Sequence, residues 1–426
     1  MRAAPVLIAL AWLVSTVGLP CTFGGRAFNV PFVVAILVVT VGGAIDWQAL
    51  RPSRNRLLIG LIGLGMLAFV VPALAHGVTA RVWFSAGRGC AVIAWFACLL
   101  AIGRERLRQE LQWAALVLLT GNLALALASW WLPSVWSAFE IAQHEYVGGW
   151  PRFRGLANSP APAGVWALVG IGLGETSPRR DLRWLTRTLG LAEACATFSV
   201  PLLAVPALLV ALVQATAPRR ILVGVAVAVA ASVLYFQPLE LTVGGRTLTL
   251  SRLHPSYTTE GLGARHMPQR TLALPGLALR GHATAYGKLA FRGFTCFMEH
   301  PLVGVGPGNF REACRVMAMN TFGEWSDHRD SHNQLGGPLA ELGVLGVGLL
   351  CGAWLVLRRR CRLLTLTAWQ RAVWVGLLVC GFGSEDLFTL PVLALLATQL
   401  ESTRPSFPPR SAAGRATASE PEESRT

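Results

Sequence analysis

"LGLAEACATFSVPLLAVPALLVALVQA", running from Leu189 to Ala215, decides how the chain is threaded. Its length suits either one long tilted helix or two short ones broken near Ser199-Val200-Pro201. The two readings put everything after it on opposite sides of a membrane. That a membrane is involved follows from composition. Of 426 residues, 53% are hydrophobic and only 14% charged, and the mean hydropathy is +0.51. Apolar runs recur near 3–22, 28–45, 56–75, 89–103, 111–132, 160–174, 189–217, 220–237, 335–357, 368–384 and 386–401. Most are close to the roughly 20 residues that a spanning helix needs. The first run, MRAAPVLIALAWLVSTVGLP, reads as an uncleaved helix rather than a signal peptide, because so many spans follow it.

The net charge of +15 is almost entirely arginine, with Lys288 the single lysine. The arginines cluster in short turns between apolar runs, where they set topology, so the charge does not point to nucleic acid. The clusters are Arg51/Arg54/Arg56, Arg104/Arg106/Arg108, Arg179/Arg180/Arg183/Arg187, Arg219/Arg220 and Arg358/Arg359/Arg360/Arg362. All can be cytoplasmic only if 189–217 crosses as a hairpin. Each arm is then about 13 residues, so it must tilt or be shielded by neighbours. The expected fold is an all-α polytopic membrane protein with about 12 transmembrane helices and both termini cytoplasmic. Its parts are an N-terminal transmembrane bundle over 1–237, a large outward loop over 238–334, C-terminal transmembrane helices over 335–401, and a disordered tail over 402–426.

Three connections face outward on this parity: His76 to Arg88, Pro133 to Ser159, and the loop from Pro238 to about Gln334. A loop that long usually has a function. "LELTVGGRTLTL" reads as two short strands around Gly244-Gly245. "TAYGKLAFRGFTCFMEH" (284–300) reads as an amphipathic helix ended by Pro301, and "FREACRVMAM" as a second short helix. Cys296 and Cys314 are the only two of nine cysteines in this loop, and on sequence alone a disulfide between them is not expected.

Polar residues of chemical interest gather in the outward segments. Arg152 and Arg154 precede a helix start in "GGWPRFRGLANSPAPAG" (148–164), where cationic side chains and unpaired backbone N–H groups together suit an anion. Arg292 lies on the helix leading into "HPLVGVGPGNF", whose glycines allow tight turns and close backbone approach but do not form a nucleotide-binding loop. His332 and Asn333 stand at the mouth of "QLGGPLAELGVLGVGLL", with His328 and His300 competing for the same role. Histidine titrates near neutrality and can take a proton from an attacking hydroxyl. No HExxH or Cys/His cluster occurs, so neither a metal nor another cofactor is expected.

"EHPLVGVGPGNF" followed by "SHNQLGGPLAELGVLGVG", after a many-span half containing "RFRGLANSPAPAG", resembles the bacterial O-antigen ligase and polymerase family over most of the chain. The resemblance implies a GT-C-like glycosyltransferase of surface-polysaccharide biosynthesis, metal-independent, at the periplasmic face of the inner membrane. Its donor is a glycan on undecaprenyl diphosphate. Its acceptor is a lipid A core sugar, another glycan or a protein hydroxyl. Membrane lipids are the remaining partners, and nucleic acid is not one. Carried onto this chain, the resemblance implies His332 as base, beside Asn333, and Arg292 and Arg154 as diphosphate ligands. It implies a further basic residue in the loop before the fourth span, met by Arg88 or by Arg81.

The chain departs from the family at the hairpin tip, where "ATFSVP" has Val200 in place of an arginine. Glu193 in the hairpin and Glu385 and Asp386 between the last two spans are further candidates for positioning an acceptor, since intramembrane carboxylates are functional suspects. Two other classes compete: a multispan transporter or lipid carrier with the loop as lid, and a family member kept as a scaffold after losing its chemistry.

Overall fold

The structure, a computed structural model, describes residues 52–76, 79–101, 104–131, 160–197, 285–314, 333–363, 365–381 and 390–402. It also describes strand segments within 21–28, 146–151, 236–283 and 317–327, and scattered positions between 204 and 227. The expected spans near 3–22 and 28–45, the hairpin tip at Ser199-Val200-Pro201 and nearly all of the C-terminal tail lie outside the described residues.

Helices dominate. They are α1 (Pro52–Ala75), α2 (Ala80–Ala101), α3 (Arg104–Trp131), α4 (Pro160–Gly174), α5 (Arg180–Ala196), α6 (Ala285–Glu299), α7 (Phe310–Ala313), α8 (Gly336–Arg360), α9 (Ala368–Gly381) and α10 (Leu390–Gln399). Among the described residues, Gly336–Arg359 is long and apolar enough to cross a membrane, and Ile59–Ala75 and Ala161–Gly174 are shorter apolar helices. In the loop, Phe236–Val243 pairs antiparallel with Arg246–Thr249 across Gly244-Gly245. Two further strands, 277–283 and 269–274, extend that hairpin to a four-stranded sheet.

The helix α4 is apolar on every side, and its residues Val165 to Leu173 are buried at the centre of the bundle. Helices that approach this closely need small residues at the contact. Gly190 of α5 lies where a Cβ would sit 2.7 Å from the Ala167 carbonyl, and Gly172 lies under Leu395 of α10.

Contacts fix the direction of each helix. Gly346 of α8 meets Ala68 and Pro72 of α1, while Gly352 meets Leu64, so α1 and α8 run antiparallel. Gly65 meets Ile93 and Gly89 meets Phe69, so α1 and α2 are antiparallel too. Gln112 near the start of α3 donates to Thr176 Oγ1 at 2.6 Å, and Cys361–Leu363 pairs with Leu400–Ser402. The arginines at the starts of α1 and α3, around α5 and at the end of α8 therefore share one end of the bundle. The end of α1, the start of α2, the 300–314 segment and the start of α8 share the other.

At the arginine end, Arg187 makes a bidentate pair with Glu175, Nε to Oε1 at 2.6 Å and the second nitrogen to Oε2 at 2.9 Å. Its guanidinium also lies 4.6 Å from the Trp369 ring centre. A lysine cannot reproduce a planar fork stacked on indole. Arg187→Lys is expected to lower stability by about 1–2 kcal/mol, read as a fall in thermal unfolding temperature in detergent.

Three helices start before the apolar runs that announce them. Expected at residue 89, α2 begins at Ala80, so Arg81 and Arg88 stand on a helix and not in an outward loop. Ser85, Gly87, Arg88 and Gly89 interrupt the apolar run but not the backbone pattern, and Gly89 lets the Phe69 ring lie against the helix. α3 and α5 likewise begin in their arginine turns. α5 ends at Ala196 with Thr197 as its C-cap. The second loop helix is much shorter than expected: α7 covers only Phe310–Ala313, and Met317–Met319 instead pairs as a strand with Trp325–Asp327.

Candidate functional site

At the end opposite the arginine turns, two sequence motifs dock onto each other through backbone. α8 breaks at Gly343, with φ +62 and ψ −172. Into that break fits the turn of "HPLVGVGPGNF". Val305 N donates to Ala340 O at 2.8 Å and Gly306 N to Glu341 O at 3.0 Å, while Val344 N donates to Pro301 O at 2.9 Å and Leu345 N to Leu302 O at 3.0 Å. The helix groups freed by the break are paired by the turn, as a buried backbone requires. Gly304, at φ +65, lies where a Cβ would come 2.5 Å from Ala340 O. The glycines at 304, 306 and 308 thus pack against protein: α8, His76 and Ser85. His76 Nε2 donates to Gly304 O at 2.6 Å, tying in the residue that follows α1.

Contrary to the sequence-based expectation, Cys296 and Cys314 form a disulfide. The helix α6 carries Cys296 toward α8, and the one-turn helix α7 ends beside it. Both cysteines are buried with Val305, Phe310 and Ala340. The bond closes a loop of 18 residues, so Cys314→Ser is expected to cost about 2–4 kcal/mol. Non-reducing peptide mass analysis of the wild type should recover the linked pair, and thermal unfolding of the variant measures the cost.

Arg292 is held by what the disulfide fixes. Its Nε donates to Cys314 O at 2.6 Å, and its two terminal nitrogens donate to Glu299 Oε1 at 2.6 Å and Oε2 at 3.1 Å. The hydrogen bond from Arg292 holds the Glu299 carboxyl below its usual range, with smaller help from the charges of Arg292 and His300. Arg81, from α2, makes an ion pair with Glu312 of α7. Two guanidinium groups from different helices thus converge on residues 310–314, each with a carboxylate beside it. Both pairs are partly exposed, so their carboxylates are exchangeable counter-ions rather than strong anchors.

Asn333 is buried, and its Oδ1 accepts from Leu335 N and Gly336 N, both at 2.8 Å. Its carbonyl oxygen thus caps the start of α8. Gln334 N donates to Gly381 O at 2.8 Å, bringing the end of α9 to the same place. Glu193 lies apart, inside the bundle. It is 1% exposed and its Oε2 accepts from Asn122 Nδ2 at 3.1 Å. Arg88 is about two helical turns beyond Arg81 on α2. His300 is exposed at the end of α6. The expected residues His332, His328, Arg152, Arg154, Glu385 and Asp386 lie outside the described residues, as does Val200. Among the described residues, no group of His, Cys, Asp and Glu is arranged to hold a metal ion.

Sequence reading missed His76, Glu299, Glu312 and the disulfide. The spacing of Arg292 and Glu299, seven residues apart on one helix face, was a usable signal. The meeting of Arg81 with Glu312 was not, since it joins distant parts of the chain.

A scan against protein-family models, a search of curated proteins and a search of solved structures find no match to this chain.

Proposed function

We propose that the chain transfers a glycan from an undecaprenyl-diphosphate carrier to an acceptor hydroxyl at the outer face of a bacterial inner membrane. In this reading the chain is a GT-C-like bundle of about twelve spans with its arginine turns cytoplasmic. The observation that carries the proposal is the convergence of Arg81 and Arg292 on residues 310–314. The turn just before that segment, 301–306, is fastened through the Gly343 break to α8, the helix capped by Asn333, next to His332. A buried disulfide at the same end fits an oxidising compartment, which supports the periplasmic orientation independently of the arginine count.

The acceptor hydroxyl attacks the anomeric carbon, the bond from that carbon to the diphosphate oxygen breaks, and the diphosphate leaves with the electron pair. The hydroxyl proton passes to His332. Fixed arginines stabilise the charge that develops on the leaving group, with Arg154 as a third contributor, so the step calls for no metal. Diphosphate oxygens replace the carboxylates of Glu299 and Glu312 on the guanidinium groups. With no enzyme nucleophile, the product is inverted at the anomeric carbon.

Arg292→Ala removes a charge-assisted pair worth about 1.5–3 kcal/mol, so donor affinity should fall by about 10- to 100-fold. Titration of the purified variant in nanodiscs with lipid-linked donor reads this. Unchanged affinity would remove Arg292 from the site.

A further inference from the structure

Leu302 and its neighbours form an apolar surface that none of the described residues covers. Leu302 is 68% exposed, Met298 74% and Phe294 39%, and beside them on α8 Val344 is 53% and Leu345 48% exposed. The patch is continuous, because Leu345 N is bonded to Leu302 O and Val344 N to Pro301 O. Its depth follows from α8. The segment Gly336–Arg359 has 24 residues, about 36 Å of helix against a hydrocarbon layer of about 30 Å. Val344 and Leu345 come eight and nine residues after Gly336, about 12 Å below the mouth. A turn bonded to them at that depth lies beneath the membrane surface.

Non-helical backbone survives in hydrocarbon only when its polar groups are paired within the protein. Most of the turn's backbone groups meet that condition. Gly304 N donates to His300 O at 3.1 Å, Val305 N and Gly306 N are taken by α8, and the carbonyls of Pro301, Leu302, Gly304 and Val305 all accept. Such pairing is more than an aqueous loop needs, since water would satisfy the same groups.

We infer that residues 301–306 form a re-entrant turn in the outer leaflet, with Leu302 and Met298 against lipid acyl chains. Arg292, whose neighbour Gly293 lies against Gly336 at the start of α8, then stands at headgroup level above the turn, and the lipid-linked donor is met within the leaflet rather than lifted into water. The proposal rests on α8 spanning the membrane and deepens the function proposed above by placing the site at the lipid interface.

Nitroxide labels test it in the full-length chain in lipid nanodiscs, with the cysteines other than Cys296 and Cys314 changed to alanine. Labels go at Leu302→Cys, Leu345→Cys and Glu312→Cys. The expected result is that oxygen relaxes labels 302 and 345 several-fold more than a water-soluble nickel chelate does, with the reverse at 312. If the nickel reagent reaches 302 as freely as 312 while 345 stays in lipid, the re-entrant turn is wrong and the span stands. If 345 is also aqueous, α8 does not span and the functional reading falls with it. A benzophenone amino acid at position 302 checks for distortion by the label: crosslinks to acyl chains agree with the turn's depth, and their absence contradicts it.

Discussion

His332→Ala should slow glycan transfer by roughly 10²–10⁴-fold while leaving donor affinity near that of the wild type. A sugar hydroxyl is a poor nucleophile until its proton has somewhere to go, and in the proposed mechanism the imidazole of His332, one residue before Asn333, supplies that place. In the same mechanism arginines elsewhere in the chain hold the diphosphate, so removing the imidazole touches the reacting proton and not the donor's charge. The cap that starts α8 belongs to Asn333, whose Oδ1 bonds Leu335 N and Gly336 N, so the substitution next to it leaves the helix start intact. Single-turnover transfer and donor titration, run on the same preparation, separate the two effects. A variant that transfers at the wild-type rate would show that His332 is not the base, and one that no longer binds donor would show that it holds substrate.

Gly343→Val should be the most destabilising single change at this end of the molecule, at about 3–5 kcal/mol. The residue sits at φ +62, a conformation costly for any side chain and most for a β-branched one. A Cβ there would overlap Leu302 O and come 2.5 Å from Gly304 N, backbone that cannot swing aside. The turn must therefore leave the break, which unpairs Val344 N, Leu345 N, Val305 N and Gly306 N together. Hydrogen exchange in the folded variant should show these amides losing protection, and thermal unfolding should give the total cost. Retained protection with an unchanged unfolding temperature would mean that the break tolerates a side chain and does not couple the two motifs.

The course of the helices was legible because it depends on local composition. Arginine turns flanked by apolar runs marked the starts of α1, α3 and α5 and the end of α8, and the contact of Gly352 with Leu64 and the Arg187–Glu175 pair lie toward those ends. The hairpin tip on which the expected parity depends, and Arg219/Arg220, lie outside the described residues. Helix starts were less legible. Apolarity stops where lipid stops, whereas a backbone helix continues through Arg81 and Arg183 as long as its hydrogen bonds do. At the site, Asn333 and Arg292 could be singled out from short motifs. What Arg292 touches could not, because Cys314 O reaches it only through a disulfide that the bare spacing of two cysteines does not reveal. The Gly343 break was hidden for a related reason. Six glycines follow Asn333 within α8, and only a partner from another part of the chain determines which of them bends.

The central claim is transfer of a glycan off a lipid diphosphate. Purified wild-type protein in proteoliposomes, given undecaprenyl-diphosphate-linked glycan and either a lipid A core or a second glycan-carrier molecule, tests it by product mass and release of free undecaprenyl diphosphate. The account predicts a new glycosidic bond of inverted configuration, formed equally well with a metal chelator present and lost in His332→Ala. Intact donor with every acceptor, from protein that binds the donor or carries it across the bilayer, would contradict it.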